Sequence, residues 1–233
     1  MGRLALEDVT KRYGSVVAIR DVSLAVGDSE FHCLLGPNGS GKTTIVRLLI
    51  GLTRPTSGTV HREEAVVGCG FQTPNFYPGL TVSENLEVFG SLVGGADADW
   101  RETLVDRLRL SRARERRAGD LSGGFARKLD LALALLKRPD ILLLDEPLGA
   151  LDDASKIRLL EFLADYAESG NAVVVSTHQV RRFEPLLDRV TVMHEGEVVV
   201  DGPPSALDRG KSGTVQESYL ETVLARERAG DGS

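Results

Sequence analysis

Nine residues near the start of the chain, GPNGSGKTT at 36–44, have the types and spacing of a phosphate-binding loop. They fit the pattern GxxxxGK[ST] and lie between a predicted strand and an apolar helical pattern, as this motif requires. Glycines let backbone N–H groups surround phosphates, and the helix N-terminus adds a favourable dipole. We expect Lys42 to reach the β- and γ-phosphates and the Thr43 hydroxyl to ligate Mg²⁺. The expected nucleotide contacts are Gly36, Pro37, Asn38, Gly39, Ser40, Gly41, Lys42, Thr43 and Thr44.

A second candidate is a pair of adjacent acids that ends the apolar run ILLLDEP. Asp145 is expected to anchor Mg²⁺ through its ligand shell, and Glu146 to act as the general base that activates water. Two carboxylates after an apolar strand can also simply cap the next element. Because the phosphate loop is present, the chain favours the catalytic interpretation, which is hydrolysis of a nucleotide.

A third motif, LSGGF at 121–125, precedes ILLLDEPLGALD, and His178 ends the next predicted strand. In this order the motifs resemble the nucleotide-binding subunit of an ABC transporter. The resemblance covers nearly the whole chain, and the joint order is specific, whereas LSGG alone is a weak match. It implies ATP as the nucleotide and Mg²⁺ as its cofactor.

The resemblance assigns roles to three further residues. Tyr13 is similar to the aromatic residue that stacks on adenine, although an ordinary strand tyrosine is the alternative. Gln72 resembles the glutamine that meets Mg²⁺ and the attacking water and links them to the membrane subunit, and a surface-loop glutamine is its alternative. His178 resembles the switch histidine that contacts the γ-phosphate and helps position Glu146 and water.

The signature residues imply a dimer. Ser122, Gly123 and Gly124 open a predicted helix, so their hydroxyl and amides can bind an anion. In the family that anion is the γ-phosphate held by the opposite subunit. Asp152, in LGALD, resembles a residue of the loop that crosses between the two sites; it is also a candidate helix N-cap, and both roles can hold.

The chain departs from the family pattern at three positions. The signature ends in Phe125 where glutamine is usual, and Lys128 stands where arginine is common. Gly149 replaces the usual serine or threonine of the crossing loop. The first two changes either weaken contacts expected across the dimer or are tolerated variants, and the third concerns the contact between the two sites. The lysine, the base and the histidine of the hydrolytic site are all present.

The elements that position these residues alternate between strands and helices. Strands are predicted in LALEDVT, VVAIRDVSLAV, FHCLLG, ILLLD and NAVVVST, and a hairpin is predicted at Glu195 and Gly196. Helices are predicted from about Leu80 to Arg138, with Thr81 or Ser83 as a cap, over DASKIRLLEFLADYAESG, and from about Thr214. This alternation predicts a parallel α/β sheet.

The expected fold class is α/β: a P-loop NTPase core of the ABC ATPase type, with an N-terminal antiparallel β subdomain and an inserted helical subdomain. We expect one domain over residues 1–233. Within it, residues 1–79 and 140–233 form the β subdomain and the P-loop core, and residues 80–139 form the helical signature subdomain.

Composition narrows the remaining possibilities. The 233 residues include 28 basic and 34 acidic side chains, a net charge of −6, which argues against a general nucleic-acid binder. No apolar run is long enough to span a bilayer, and the first residues do not form a secretory signal. The protein is therefore expected in the cytoplasm. Cys33 and Cys69 have no metal-site spacing and are interpreted as core residues.

The expected partners are a second ATPase subunit, either another copy or a related cassette, and an integral membrane permease that places the protein on the inner face of the membrane. The segment from Phe71 to Phe89 is where the family docks its membrane subunit. Export is favoured over import, and the cargo is not readable. The alternative is a soluble, non-transport ABC ATPase, whose long coiled-coil insert or second cassette is missing here. A GTPase is disfavoured because no NKxD motif occurs.

Overall fold

The computed structural model describes residues 3–92, 94–95, 97–207 and 213–230. In chain order the elements are β1 (Leu4–Tyr13), β2 (Val16–Val26), β3 (Phe31–Leu35), α1 (Lys42–Leu49), β4 (Ser57–Arg62), β5 (Val67–Gly70), α2 (Val82–Leu92), α3 (Ala98–Arg107), α4 (Gly123–Leu135), β6 (Ile141–Asp145), α5 (Asp153–Glu168), β7 (Ala172–Thr177), β8 (Arg189–His194), β9 (Glu197–Gly202) and α6 (Val215–Gly230). The strands, the hairpin and the helices expected from the sequence are all present. Two strands, β4 and β5, were not predicted.

Internal contacts divide the chain into two compact units, residues 1–63 with 174–233 and residues 64–173. The second boundary falls within β7. The second unit, residues 64–173, is larger than the helical subdomain expected from the sequence, residues 80–139. The limits of that subdomain stay a prediction. Among the described residues, none of the helices has the length and apolarity that crossing a membrane requires.

The first unit contains an antiparallel sheet in the order β2-β1-β4. β1 and β2 form a hairpin that turns at Gly14, whose φ of 60° lies in the left-handed region that glycine adopts without strain. Their pairing runs from Leu4 opposite Val26 to Tyr13 opposite Val16. The hairpin therefore places Tyr13 at the end of a strand, next to the turn.

β3 leads directly into the phosphate-binding loop. All five of its residues are buried, and it pairs in parallel with β8, as expected for a strand covered on both faces. β8 then turns at Glu195 and Gly196 into β9, its antiparallel partner. The loop at 36–44 is thus anchored to a strand in the core of the first unit.

A buried polar network crosses this part of the first unit. The Thr191 hydroxyl donates to Asp201 Oδ1 at 2.7 Å, so the 2.7 Å contact between His32 Nε2 and Thr191 Oγ1 is a bond donated by the imidazole. Arg189 pairs with Asp201. Burial lowers the pKa of His32 to about 4, which keeps the ring neutral.

The second unit contains β5 paired in parallel with β6. β5 has the sequence VGCG, and its backbone lies against α4: a Cβ on Gly68 would come within 2.2 Å of the Ala134 carbonyl oxygen. Only glycine fits this close approach. The same glycines make the segment resemble a turn in sequence, which is why the strand was not predicted.

Three helices of the second unit carry the signature segment and its support. α2 begins with a capping box, in which the Glu84 N–H donates to Thr81 Oγ1 and the Thr81 N–H donates to Glu84 Oε2. This confirms the predicted cap at Thr81. Trp100 of α3 donates its indole N–H to the Leu135 carbonyl at the end of α4, 2.8 Å away.

The two cysteines differ in their surroundings. Cys33 is buried, as predicted, but Cys69 is only half-buried and lines a cavity of about 170 Å³. The expectation of a core residue is therefore wrong for Cys69, because its side chain borders this cavity, which residues of several elements line. Desolvation by burial and, to a smaller extent, the charges of Asp130 and Asp145 raise the pKa of the thiol to about 12. The thiol is therefore not a reactive thiolate.

Candidate nucleotide site

The candidate residues divide between the two units. The first unit carries Tyr13, the loop at 36–44 and His178, and the second carries Gln72, the signature residues 122–124, Asp145 and Glu146. Each half has its own geometry.

Glycines shape the loop at 36–44 by allowing close approach and left-handed backbone. A Cβ on Gly36 would lie 2.5 Å from both the Met193 carbonyl oxygen and Ser40 Oγ. Gly41, the N-cap of α1, has a φ of 104°, and a Cβ there would lie 2.5 Å from Ile19 Cγ2. Other residue types cannot take this path, so the loop exposes backbone rather than side chains at the start of α1.

Lys42 is folded back over the loop. Its ammonium donates to the carbonyl oxygens of Gly36 at 2.7 Å and Pro37 at 3.0 Å, and the residue is only 6% exposed. The first turn of α1 has no side-chain cap, and the buried Ser40 Oγ has no hydrogen-bond partner among the residues that the structure describes. A cation, an uncapped helix N-terminus and an unsatisfied hydroxyl therefore converge at one point, which suits an anion.

Tyr13 presents an aromatic face at the edge of the first unit. The ring is 44% exposed, and Lys11 Nζ lies 4.9 Å from its centroid. That ammonium also donates to the Arg54 carbonyl at 2.9 Å, so it stays in place beside the ring. A flat, accessible ring of this kind can stack on a base.

His178 follows β7 and is exposed. Its Nε2 lies 3.2 Å from the side-chain amide nitrogen of Gln179. The preceding residue, Thr177, accepts a hydrogen bond from the Gly36 N–H at 3.3 Å. The first residue of the phosphate-binding loop and the histidine are therefore held close together within the first unit.

The acidic pair ends β6 in the second unit. Asp145 is 3% exposed, whereas Glu146 is half-buried and has a φ of 50°. A left-handed backbone conformation is unfavourable for glutamate. Residues that a fold holds in such a conformation are found preferentially at functional sites. The two carboxylates thus differ in environment: Asp145 is buried at the end of β6, and Glu146, the next residue, is half-buried with a left-handed backbone.

We use the name Gln72 loop for residues 71–75, which follow β5 and contain no helix or strand. Two buried side chains of α4 hold its backbone. Asp130 accepts the N–H groups of Phe71 at 3.0 Å and Asn75 at 2.9 Å. Arg127 donates to the carbonyl oxygen of Phe71 and to that of Gln72, the latter at 2.6 Å.

Sequence reasoning missed Arg127 and Asp130. Their available signal was two charges, three residues apart, on the face of α4 that also carries Leu131 and Leu135. Burial lowers the pKa of Arg127 against the opposing charges of Asp130, Asp145 and Glu146. The guanidinium thus bonds the Gln72 loop, and its charge interacts with the charges of the acidic pair.

The signature residues form the N-terminus of α4. Ser122 is its N-cap and makes no side-chain cap bond; Ser122 and Gly123 are exposed. A Cβ on Gly123 would lie 3.2 Å from Ala150 Cβ, and one on Gly124 the same distance from the Ala150 carbonyl. The glycines let the helix start closely against the loop that follows Glu146.

Two of the departures from the family pattern contact each other. Lys128 Nζ lies 5.3 Å from the centroid of the Phe125 ring, a cation–π contact.

Asp152 caps α5 as predicted, accepting the Ser155 N–H at 2.7 Å and the Ser155 hydroxyl at 2.9 Å. Those two bonds lower the pKa of Asp152.

Comparison with known proteins decides what this arrangement is. The family model described as ABC transporter matches residues 19–149, more than half of the chain. The chain belongs to the ABC transporter family. It is an ATP-binding subunit with the P-loop NTPase fold, and the predicted fold class is confirmed.

Relatives of known name agree with this assignment. The chain is 36% identical over 222 residues to the Nod factor export ATP-binding protein I of Burkholderia lata, covering 88% of this chain and 72% of the relative. It is 33% identical over 205 residues to the bacitracin transport ATP-binding protein BcrA of Enterococcus faecalis, covering 83% and 67%.

Solved structures give the same result. An ATP-binding subunit of an ABC transporter superposes with a TM-score of 0.85 at 26% identity, covering 94% of this chain and 98% of that one. A dimeric post-hydrolysis state of the cassette MJ0796, bound to ADP and Pi, superposes with a TM-score of 0.77 at 28% identity, covering 86% and 98%. Cassettes of this family bind and hydrolyse ATP and dimerise, and this chain is an ATPase of that kind.

Proposed function

We propose that two cassettes, in the simplest case two copies of this chain, enclose two ATP molecules between them. Each ATP lies between the phosphate-binding loop of one copy and Ser122, Gly123 and Gly124 of the other. The exposed, uncapped N-terminus of α4 supports this proposal, because its amides are an anion site that faces outward. In this proposal the Phe125 ring stands where the family pattern has glutamine, and Lys128, which contacts that ring, stands where arginine is common.

Within one copy, the loop from Gly36 to Thr44 holds the phosphates and Tyr13 stacks on the adenine. The unsatisfied Ser40 hydroxyl and the buried Lys42 ammonium support the phosphate role. On binding, Lys42 exchanges the carbonyls of Gly36 and Pro37 for phosphate oxygens, which carry full negative charge and make stronger hydrogen bonds.

Mg²⁺ fits the donors that the chain offers. The Thr43 hydroxyl, the Asp145 carboxylate and the Gln72 amide are oxygen donors, which this cation prefers. Among the described residues, no group of three or more His, Cys, Asp and Glu side chains could hold a metal by itself. The ion would therefore be held jointly by these few side chains and the nucleotide phosphates, where it supplies charge neutralisation for phosphoryl transfer.

Hydrolysis is assigned to Glu146, with His178 and Gln72 placing the water and the γ-phosphate. Glu146 is the general base in this proposal because it is partly exposed directly after β6, whereas Asp145 is buried. His178 is exposed next to the loop at Gly36, as a group that senses the γ-phosphate requires.

Export through a separate membrane permease is the proposed use of this energy. The relatives named for Nod factor export and bacitracin transport support it. The permease would dock on the segment from Phe71 to Phe89, where the rings of Tyr77 and Phe89 lie 5.5 Å apart and Tyr77 is half exposed. It would hold the cassettes on the inner face of the membrane. The net charge of −6 supports a role without nucleic acid.

The proposal is tested by steady-state hydrolysis of Mg-ATP by the Glu146→Gln variant. Loss of a general base lowers turnover by about 10²- to 10⁴-fold. ATP affinity should be retained, because the glutamine keeps the size of the side chain. Glu161→Gln, an exposed position on α5, is the matched control and should hydrolyse ATP like the wild type. Substantial hydrolysis by Glu146→Gln would assign the base to another group.

A further inference from the structure

The Gln72 loop is held by side chains rather than by its own backbone. Its residues belong to no helix or strand, so their N–H and C=O groups need other partners. Asp130 accepts the N–H groups of Phe71 and Asn75, and Arg127 donates to the carbonyl oxygens of Phe71 and Gln72. One buried pair therefore fixes four backbone groups around Gln72.

This pair is a costly way to stabilise a helix. The side chains of Arg127 and Asp130 are only 6% and 3% exposed, with 3.6 Å between Nη1 and Oδ2. Burying two charges carries a desolvation penalty that an apolar pair of similar volume avoids. What an apolar pair cannot do is bond the loop, so the hydrogen bonds to residues 71–75 are the specific contribution of the pair.

One side of the Gln72 loop borders the cavity that Cys69 also lines. The space of about 170 Å³ is lined by Phe71 and Asn75 together with Asp130, so the loop has room to move there. Arg127 also feels the charges of Asp145 and Glu146. A shift of the loop would therefore change the position of Gln72 relative to this guanidinium.

We propose that Arg127 and Asp130 form a clamp that holds the backbone of the Gln72 loop in the position from which Gln72 serves ATP hydrolysis. The clamp rests on the role of Gln72 given under the proposed function. Both residues are positioning residues, because they act through the loop and not on ATP.

The test is a double-mutant cycle on kcat for Mg-ATP hydrolysis. Arg127→Lys keeps a positive charge near Asp130, but it replaces the two donor nitrogens, Nη1 and Nη2, that bond the Phe71 and Gln72 carbonyls with the single nitrogen of a shorter side chain. We expect kcat to fall about ten- to hundredfold, since displacement of a positioning group by about 1 Å has effects of that size. KM for ATP should change less than kcat. In a Gln72→Ala background, Arg127→Lys should cause no further loss.

Arg62→Lys is the matched control. Arg62 also donates to two consecutive carbonyls, those of Leu48 and Leu49, but it lies in the first unit at the end of α1. Its substitution should leave kcat unchanged. An equal loss of kcat from Arg127→Lys with and without Gln72 would overturn the clamp, because the residue would then act independently of the loop.

A second variant gives a readout that does not depend on hydrolysis. Asp130→Asn keeps the size of the side chain and places an amide donor against one backbone N–H. Hydrogen exchange of the Phe71 and Asn75 amides should accelerate at least tenfold, with the remaining amides of α4 unchanged. Unchanged exchange at both amides would overturn the clamp. Wild-type protein that hydrolyses no ATP would instead overturn the proposed function, while the exchange result would still decide whether the loop is held.

Discussion

The phosphate-binding loop and the Gln72 loop are fixed in opposite ways. Residues 36–44 are shaped by the backbone: Gly36 and Gly41 occupy positions with no space for a Cβ, and the helix that follows supplies the anion site. Residues 71–75 are held from outside, by Arg127 and Asp130 on another element. The path of the first loop depends on its own glycines, whereas the path of the second depends on two side chains that a substitution can remove.

The largest expected effect concerns the phosphate-binding loop. Lys42→Ala removes the cation that the backbone path places beside Gly36 and Pro37. We expect ATP affinity, measured by titration calorimetry, to fall about a hundredfold or more, since loss of one partner of a buried charge pair costs about 2–5 kcal/mol or more. Lys137→Ala, an exposed lysine of the second unit, should bind ATP normally. Normal ATP affinity in Lys42→Ala would show that the loop at 36–44 does not hold the phosphates through this lysine.

A smaller effect concerns the strand beneath that loop. Burial lowers the pKa of His32 to about 4, against about 6.5 in the unfolded chain. Between these values the unfolded chain binds a proton that the folded protein refuses, so the unfolding free energy falls as pH falls from about 6.5 to 4. The contribution of His32 to this loss is about 3 kcal/mol at about 1.4 kcal/mol per pKa unit.

Denaturant unfolding at pH 7 and pH 4.5 tests this expectation. His32→Gln preserves an N–H donor for Thr191 and should lose less stability on acidification than the wild type. His61→Gln, at a half-exposed position that pairs with Glu7, should behave like the wild type. Equal acid sensitivity of wild type and His32→Gln would show that β3 is not supported by a neutral imidazole.

The smallest effect concerns the adenine. Tyr13→Ala should weaken ATP binding about tenfold, since stacking of a base on an aromatic ring contributes about 1–3 kcal/mol. Turnover at saturating ATP should be mostly kept, because Tyr13 is proposed to contact the adenine and not the phosphates, where the reaction takes place. Tyr13→Phe retains the ring and should bind like the wild type. An unchanged affinity in Tyr13→Ala would reject the stacking role.

The sequence predicts best what the backbone determines. The loop at 36–44 and the buried strand ending at Asp145 are continuous motifs, so their residue types and spacing are visible without the fold. The caps at Thr81 and Asp152 were also predictable, because a cap bonds an N–H three residues away. Each of these features depends only on neighbours in the chain.

The sequence predicts poorly what distant residues determine. The bonds of Arg127 and Asp130 join residues more than fifty positions apart, so the local sequence does not show what these two charges on the apolar face of α4 bind. β5 was not predicted because Gly68 is required by the close approach of α4, and a glycine does not fit the residue pattern of a strand. Cys69 was expected in the core because a thiol is usually buried, but the cavity beside it depends on side chains from several elements.

The solution mass of Glu146→Gln, measured with and without Mg-ATP, tests the central claim of a composite site most directly. A variant that binds ATP but cannot hydrolyse it should stay closed around the nucleotide. The account predicts a monomer without nucleotide and a dimer with Mg-ATP, and no dimer when Ser122 of the same variant is also changed to a bulky residue. A monomer that carries bound ATP would contradict a site completed by a second copy of this chain.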